Sequence, residues 1–288
     1  MYEERRPILV TGSHRSGSTW VGQRISTSPE VGYIHEPFAL HHHPGVCAME
    51  VPHWFMYVTE ENAADFHPHL GKTLRFRYSP LAELRAAHQP RHLARLAIDG
   101  GHFLKYRLLH GRPLMKDPLA LFSSDWLACE FEMDVILLVR HPAAFAASLR
   151  RLGYRHPFSD FLRQPLLMRD HLGPFERDIR AMEEPHGVLD EAALLWRITT
   201  SMTLALREAH PDWSFYRYED LVDDPSTRFG EMFEKLQLPF TPQIQDRIVR
   251  STEPNLAGWK ERLPADEIAL LRSRVAELAS PLYPAEDW

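Results

Sequence analysis

The segment Gly12-Ser13-His14-Arg15-Ser16-Gly17-Ser18-Thr19 follows a short apolar run, Pro7 to Val10, and leads into a stretch of helical character from Ser16 to about Ser28. An apolar run of this length before Thr11-Gly12 reads as a buried strand and its turn. Glycines allow the tight turn, and the free amides at the start of the following helix favour an anion. The spacing is that of a phosphate loop, but the lysine expected before Ser/Thr is Ser18 here. Arg15 is the cation left in the loop. A tight turn with no ligand is the competing reading.

A second candidate anion site lies at Arg140-His141-Pro142, directly after the most strand-like run in the chain, Asp134 to Val139. Its unbroken Val/Ile/Leu content marks a strand buried on both faces. Pro142 suits the first position of a helix, which is expected to reach about Leu152, with Ser148 in its second turn. Arginine offers a forked, permanent cation suited to phosphate. An ordinary nucleotide hydrolase would need the loop lysine and an aspartate at a strand end to hold magnesium. This chain lacks the lysine, and its best strand ends in an arginine. Arginine, not a metal, is therefore expected to hold the phosphates, and two separate sites match a nucleotide phosphorylated at both the 5′ and 3′ positions. The alternatives are an ion pair for Arg140 and a surface position for Ser148.

These segments resemble the sulfotransferases that use 3′-phosphoadenosine 5′-phosphosulfate (PAPS). Pro7 to Trp20 resembles their 5′-phosphosulfate loop in its Arg-Ser-Gly-Ser-Thr form. Val135 to Leu149 resembles their 3′-phosphate motif, and Tyr216 to Pro225 their Tyr-Glu-Asp-Leu-x-x-Asp-Pro segment. His35-Glu36-Pro37 is similar to the corresponding strand end of the carbohydrate branch, and Lys116-Asp117-Pro118 to a segment of the tyrosylprotein branch. The resemblance implies that Glu36 is the catalytic base, with Arg15 and Lys116 stabilising charge on the transferring group. It implies that Arg15, Ser16, Gly17, Ser18 and Thr19 hold the 5′ side of the cofactor, Arg140 and Ser148 its 3′-phosphate, and that Tyr218 and Lys260 contribute. Trp259-Lys260 resembles a segment that closes over the cofactor. Glu253-Pro254-Asn255 departs from the Arg-Lys-Gly that many cytosolic members carry there, and Pro118 stands where those members place a histidine base. PAPS is the implied cofactor, 3′,5′-adenosine bisphosphate (PAP) the product, and no metal is expected.

The chemistry suits these residue types. An acceptor hydroxyl must lose a proton as it attacks sulfur, and a carboxylate in a closed cleft can take it. Fixed cations meet the charge that grows on the leaving oxygen. Other readings stay open. Glu36 could simply pair with Arg15 and orient it, or His35 or His102 could be the base instead. Lys116 could pair with Asp117 or another carboxylate, Tyr218 could be a core aromatic, and Lys260 could be solvated. His41, His42 and His43 lack zinc-like spacing and read as a polar loop. Trp54, Phe55 and Tyr57 could line an acceptor pocket or simply be buried. Arg150, Arg151 and Arg155 could meet an acidic acceptor but read more simply as a solvated helix face.

Strands alternating with helices predict an α/β fold, a P-loop-like single domain over residues 1–288 with a central parallel sheet flanked by helices. Within it, 7–36 would carry the 5′-phosphosulfate loop and base, 37–110 an acceptor-side region, 134–152 the 3′-phosphate motif and 251–264 a closing loop. Strands are also expected at Val31 to His35, Pro113 to Met115 and Trp213 to Tyr218. Helices are expected over Leu81 to Ile98 with a break at Pro90, over Leu119 to Phe131, and through Asp190 to His210. The segment from Pro37 to about Ser79 reads as loop-rich.

The net charge of -6 disfavours a nucleic-acid partner. Two cysteines, Cys47 and Cys129, make no disulfide framework and suit a reducing, cytoplasmic setting. No apolar run approaches ~18 residues, so no membrane partner is expected. The expected partner is a hydroxyl-bearing acceptor, small-molecule, carbohydrate or tyrosine-like, and the oligomeric state is open. A P-loop kinase or NTPase lacking its usual lysine, and a catalytically silent nucleotide-binding protein, are the rival functions.

Overall fold

The computed structural model describes residues 5–86, 90–252 and 256–288. Five strands form one parallel sheet in the order β2 (Val31–His35), β3 (Arg112–Lys116), β1 (Ile8–Gly12), β4 (Asp134–Val139) and β5 (Ser214–Arg217), flanked by helices, the α/β architecture expected from the alternating pattern. The chain divides into two compact units, one comprising Met1–Thr11 with Ser18–Ile136 and the other Gly12–Gly17 with Leu137–Trp288.

The first unit runs from β1 (Ile8–Gly12) through α1 (Ser18–Ile25) and β2 (Val31–His35) to α2 (His67–Leu74), α3 (Pro80–Ala86) and α4 (Pro90–Leu108). It continues with β3 (Arg112–Lys116), α5 (Ser124–Phe131) and the start of β4 (Asp134–Val139). In parallel register, β1 pairs with β3 through Ile8↔Leu114 and Val10↔Lys116, and β2 pairs with β3 through Val31↔Arg112 and His35↔Lys116. Ile8, Leu9, Val10, Leu114 and Met115 are fully buried, which is what continuous aliphatic runs require of central strands. Helix α1 packs against β2 and β3, and α4 against β2. Pro90 breaks the helical run expected over 81–98 by opening a helix of its own, a position that tolerates proline. Over 118–131 the chain forms a 3₁₀ segment, Pro118–Ser123, before α5. The Asp117 side chain causes this by accepting the Leu119 amide at 3.0 Å and so starting a tight turn.

The second unit contains the end of β4, then α6 (Pro142–Leu152), α7 (Ser159–Leu162), α8 (Pro165–Leu167), α9 (Glu176–Ala181) and α10 (Val188–Ala209). After these come β5 (Ser214–Arg217), α11 (Tyr218–Asp223), α12 (Pro225–Lys235), α13 (Pro242–Arg250) and α14 (Ala265–Ala279). Helices α6, α10 and α14 pack on one another. Seven of the eight residues from Pro142 to Leu149 are apolar or alanine, and all eight are buried, Ser148 included. Among the described residues no helix is long and apolar enough to cross a membrane.

Candidate active site

Within the second unit, the loop after β1 adopts two left-handed residues, Arg15 at φ 68° and Gly17 at φ 94°. At Gly17 only glycine fits. A Cβ there would lie 2.3 Å from the Tyr218 ring, so the ring rests directly on the loop backbone. Gly12, at φ 143°, sits so close to the Leu138 carbonyl that a Cβ would meet its oxygen at 2.2 Å. These two contacts fix the loop against the end of β4 and the start of α11.

Arg15 projects from this loop and donates through Nε to Ser148 Oγ at 2.9 Å. Arg140 donates to the Arg15 carbonyl at 3.0 Å, and its guanidinium lies 4.5 Å from the centre of the Tyr218 ring. The Arg140 carbonyl in turn accepts the indole N–H of Trp196 at 2.8 Å. Arg15, Arg140 and Ser148 thus form one hydrogen-bonded group, with the Tyr218 ring against Arg140. Two donors of this region, Ser16 Oγ of the loop and Arg140 Nε, are buried with no hydrogen-bond partner among the described residues. Buried donors left without an acceptor are costly.

In the first unit, the β2–β3 register sets His35 opposite Lys116. The next residue, Glu36, then donates its amide to the Lys116 carbonyl at 3.0 Å and pairs its carboxylate with the Lys116 ammonium. The Lys116 side chain is 0% exposed and that of Glu36 27%, so the cation is sealed while the carboxylate remains reachable. Glu36 also holds a left-handed backbone, φ 42°, which a glutamate adopts only when its surroundings impose it. The next turn is fixed by Asp117, which accepts the Phe38 amide at 2.6 Å. Burial, reinforced by the charge of Glu36, pushes the Asp117 carboxyl up to about 7. His35 Nε2 stands 3.9 Å from Glu36 Oε2, and burial together with Lys116 lowers its basicity. His102 is engaged elsewhere, its Nε2 lying 2.9 Å from the Tyr33 carbonyl oxygen.

The Sulfotransferase family model matches residues 7–242, most of the chain and all of the motifs up to α13. This chain belongs to the sulfotransferase family. Its chemistry is sulfuryl transfer. The fold is similar to that of the sulfotransferase domain from the curacin biosynthetic pathway, with a TM-score of 0.50 and 17% identity over 96% of this chain and 98% of that one. Also similar are the sulfotransferase domain of the Synechococcus PCC 7002 olefin synthase (TM-score 0.46, 19% identity, 97% and 95% of the two chains) and a sulfotransferase from Mycobacterium avium (0.46, 17%, 97% and 77%). A comparison with curated proteins finds no match.

Other candidate residues of this sulfotransferase fall outside the two groups. Ser18 and Thr19 open α1, Ser18 buried and Thr19 exposed. Lys260 is exposed and donates to the Trp288 carbonyl at 2.8 Å. Glu253, Pro254 and Asn255 lie outside the described residues. Arg150 pairs with Glu267 and Arg155 with Glu191, each at 2.6 Å, so these cations meet the protein's own carboxylates. His42 Nδ1 lies 2.6 Å from the Ala39 carbonyl and His43 Nδ1 2.7 Å from Asp99. Phe55 is fully buried against Phe122, a core aromatic. Sequence reasoning missed Trp196, for which no motif signals a role. It also missed Glu219, whose Oε1 accepts the His141 amide at 3.0 Å, although its place in the Tyr-Glu-Asp-Leu segment could have drawn attention to it.

Proposed function

We propose that this sulfotransferase transfers the sulfuryl group of PAPS to a hydroxyl acceptor, with Glu36 as general base. The observation that carries the donor assignment is the cationic group of Arg15 and Arg140 with two buried donors of the same region, Ser16 Oγ and Arg140 Nε, that have no partner among the described residues. Its residues fit a nucleotide bearing separate anionic groups. Arg140 and Ser148 would hold the 3′-phosphate, stacked Tyr218 would keep Arg140 in place, and Arg15 with Ser16 to Thr19 would hold the 5′ side. When bound, PAPS supplies an activated sulfuryl group on a phosphate leaving group.

The protein's own contribution begins with Glu36. Its carboxylate, paired with Lys116 and partly exposed, accepts the proton that the acceptor hydroxyl loses on attack. Protonation removes the charge that Lys116 was paired with. The ammonium is then available to meet negative charge developing on the leaving oxygen, and Arg15 serves the same end. Acceptor recognition falls to residues 37–110, in keeping with a carbohydrate- or tyrosine-like hydroxyl, the two branches whose segments His35-Glu36-Pro37 and Lys116-Asp117-Pro118 resemble.

The test is calorimetric titration with PAP without metal and, separately, with ATP plus Mg²⁺. Metal-free PAP binding, followed by turnover of PAPS against a panel of alcohols and phenols, is the expected result. Binding of Mg·ATP with none of PAP would sink the reading in favour of a kinase-like enzyme, and PAP binding without turnover on any acceptor would leave a silent binding protein.

A further inference from the structure

His141 follows the arginine of the 3′-phosphate motif and is 2% exposed. It is the N-cap of α6, accepting the Ala143 amide on Nδ1 at 3.2 Å, while its own amide is held by Glu219. The imidazole must be neutral to accept on Nδ1. Burial, helped by the nearby cations Lys260, Arg217 and Arg140, pushes it down to about 3 and keeps it so.

Three aromatic rings enclose that imidazole. Trp259 stacks on it at 4.9 Å and 12°, Tyr283 meets it edge-on at 4.9 Å, and Trp288 edge-on at 4.6 Å. Trp259 and Tyr283 lie in the buried core. Trp288 is held from several sides. Lys260 donates to its carbonyl at 2.8 Å, Arg272 lies 5.4 Å from its ring centre, and neighbouring Asp287 accepts from Arg217 at 3.0 Å. Arg217 also donates to the Leu282 carbonyl at 2.7 Å and immediately precedes Tyr218, the ring beneath Arg140. The segment 282–288 is therefore linked to Arg140 by two routes, through its chain neighbour His141 and through Arg217–Tyr218.

We propose that Trp288 is a positioning residue for the 3′-phosphate site, acting through His141 to set the direction in which Arg140 leaves β4. The proposal rests on the reading of Arg140 as a 3′-phosphate ligand. Trp288 closes the third side of the cage around His141, so the cap of α6 and the Arg140 backbone keep one arrangement. Without the indole, His141 can tilt, and a guanidinium aimed by its backbone loses its bidentate geometry with small displacements.

The readout is the ratio of affinities for PAP and for adenosine 5′-phosphate, which lacks the 3′-phosphate. Both would be measured calorimetrically on the full chain, with the thermal midpoint recorded alongside. Wild type is expected to prefer PAP. Trp288→Ala is expected to weaken PAP by roughly tenfold with adenosine 5′-phosphate unchanged, and Trp288→Phe to restore most of the preference. If Trp288→Ala does not fold, Trp288→Leu carries the same test, and Arg272→Ala should move the ratio the same way by less. An unchanged ratio, or equal weakening of both nucleotides, would overturn the positioning role while leaving the cofactor assignment standing. A wild type that binds the two nucleotides equally would overturn both.

Discussion

The corner around Glu36 and the loop around Arg15 solve opposite electrostatic problems. At Glu36 the charges are already matched. Lys116 is sealed against the carboxylate, and Asp117 is capped by two backbone amides. Around Arg15 and Arg140 the contacts include a hydroxyl, a carbonyl and an aromatic face, and Arg140 Nε is buried with no hydrogen-bond partner among the described residues. A matched pair is suited to exchanging a proton, because moving one H⁺ changes its balance. A cation cluster with donors still to be satisfied, as Ser16 Oγ and Arg140 Nε are among the described residues, is suited to holding an anion, because the anion supplies the missing acceptor.

The sharpest way to break this contrast is at the proton side. Glu36→Gln keeps the shape and removes the base, so turnover should fall by roughly 10²–10⁴-fold while PAP affinity stays within about twofold, read by PAPS-dependent acceptor assays and calorimetry. Equal losses in both would mean that Glu36 serves the anion site after all. At the other region, Arg140→Ala should weaken PAP by roughly 10–100-fold, the worth of a charge-assisted hydrogen-bond set.

Acid should act on the two regions with opposite sign. His14 and His141, both in the second unit, are held neutral with pKa values pushed down to about 3, mainly by burial. The unfolded chain takes up protons at these histidines below about pH 6.5, where the folded chain does not, so stability is lost as pH falls from there toward 3. Each contributes up to about 1.4 kcal/mol per pH unit. Asp117, raised to about 7, works the other way, since the folded chain holds its proton where the unfolded chain has released it between pH 7 and about 4. Denaturant unfolding at pH 7 and pH 5 should show a net loss that shrinks in His141→Gln and grows in Asp117→Asn. The smallest effect is expected for Arg150→Ala, whose half-exposed pair with Glu267 should cost under about 1 kcal/mol and leave PAP affinity untouched.

Much of this was legible in the sequence because it is local. The aliphatic run of β4 and the proline that opens α6 are recoverable from period and turn chemistry alone, and both match the expected bounds, Asp134–Val139 and Pro142–Leu152. Glu36 and Lys116 could be nominated by motif but not paired, since their pairing follows from the β2–β3 register, which links residues 80 positions apart. The Tyr218 ring on Gly17 and the indoles around His141 depend on tertiary packing, for which neither spacing nor propensity carries a signal. Over 118–123 the apolar pattern alone cannot distinguish a 3₁₀ segment from an α-helix, and the aspartate before it decides.

The left-handed backbones of Arg15 and Glu36 have a consequence for how such chains diverge. Each costs on the order of 1–2 kcal/mol for a side chain with a Cβ, a cost that glycine would not bear and asparagine bears only in part. Selection for fold alone would drift Arg15 toward those residues, and Glu36 with it once the buried Lys116 that it pairs with is also replaced. In a relative that kept the architecture but abandoned the reaction, they are the first places where glycine or asparagine is expected, so the pair can serve as a marker separating working enzymes from retired copies.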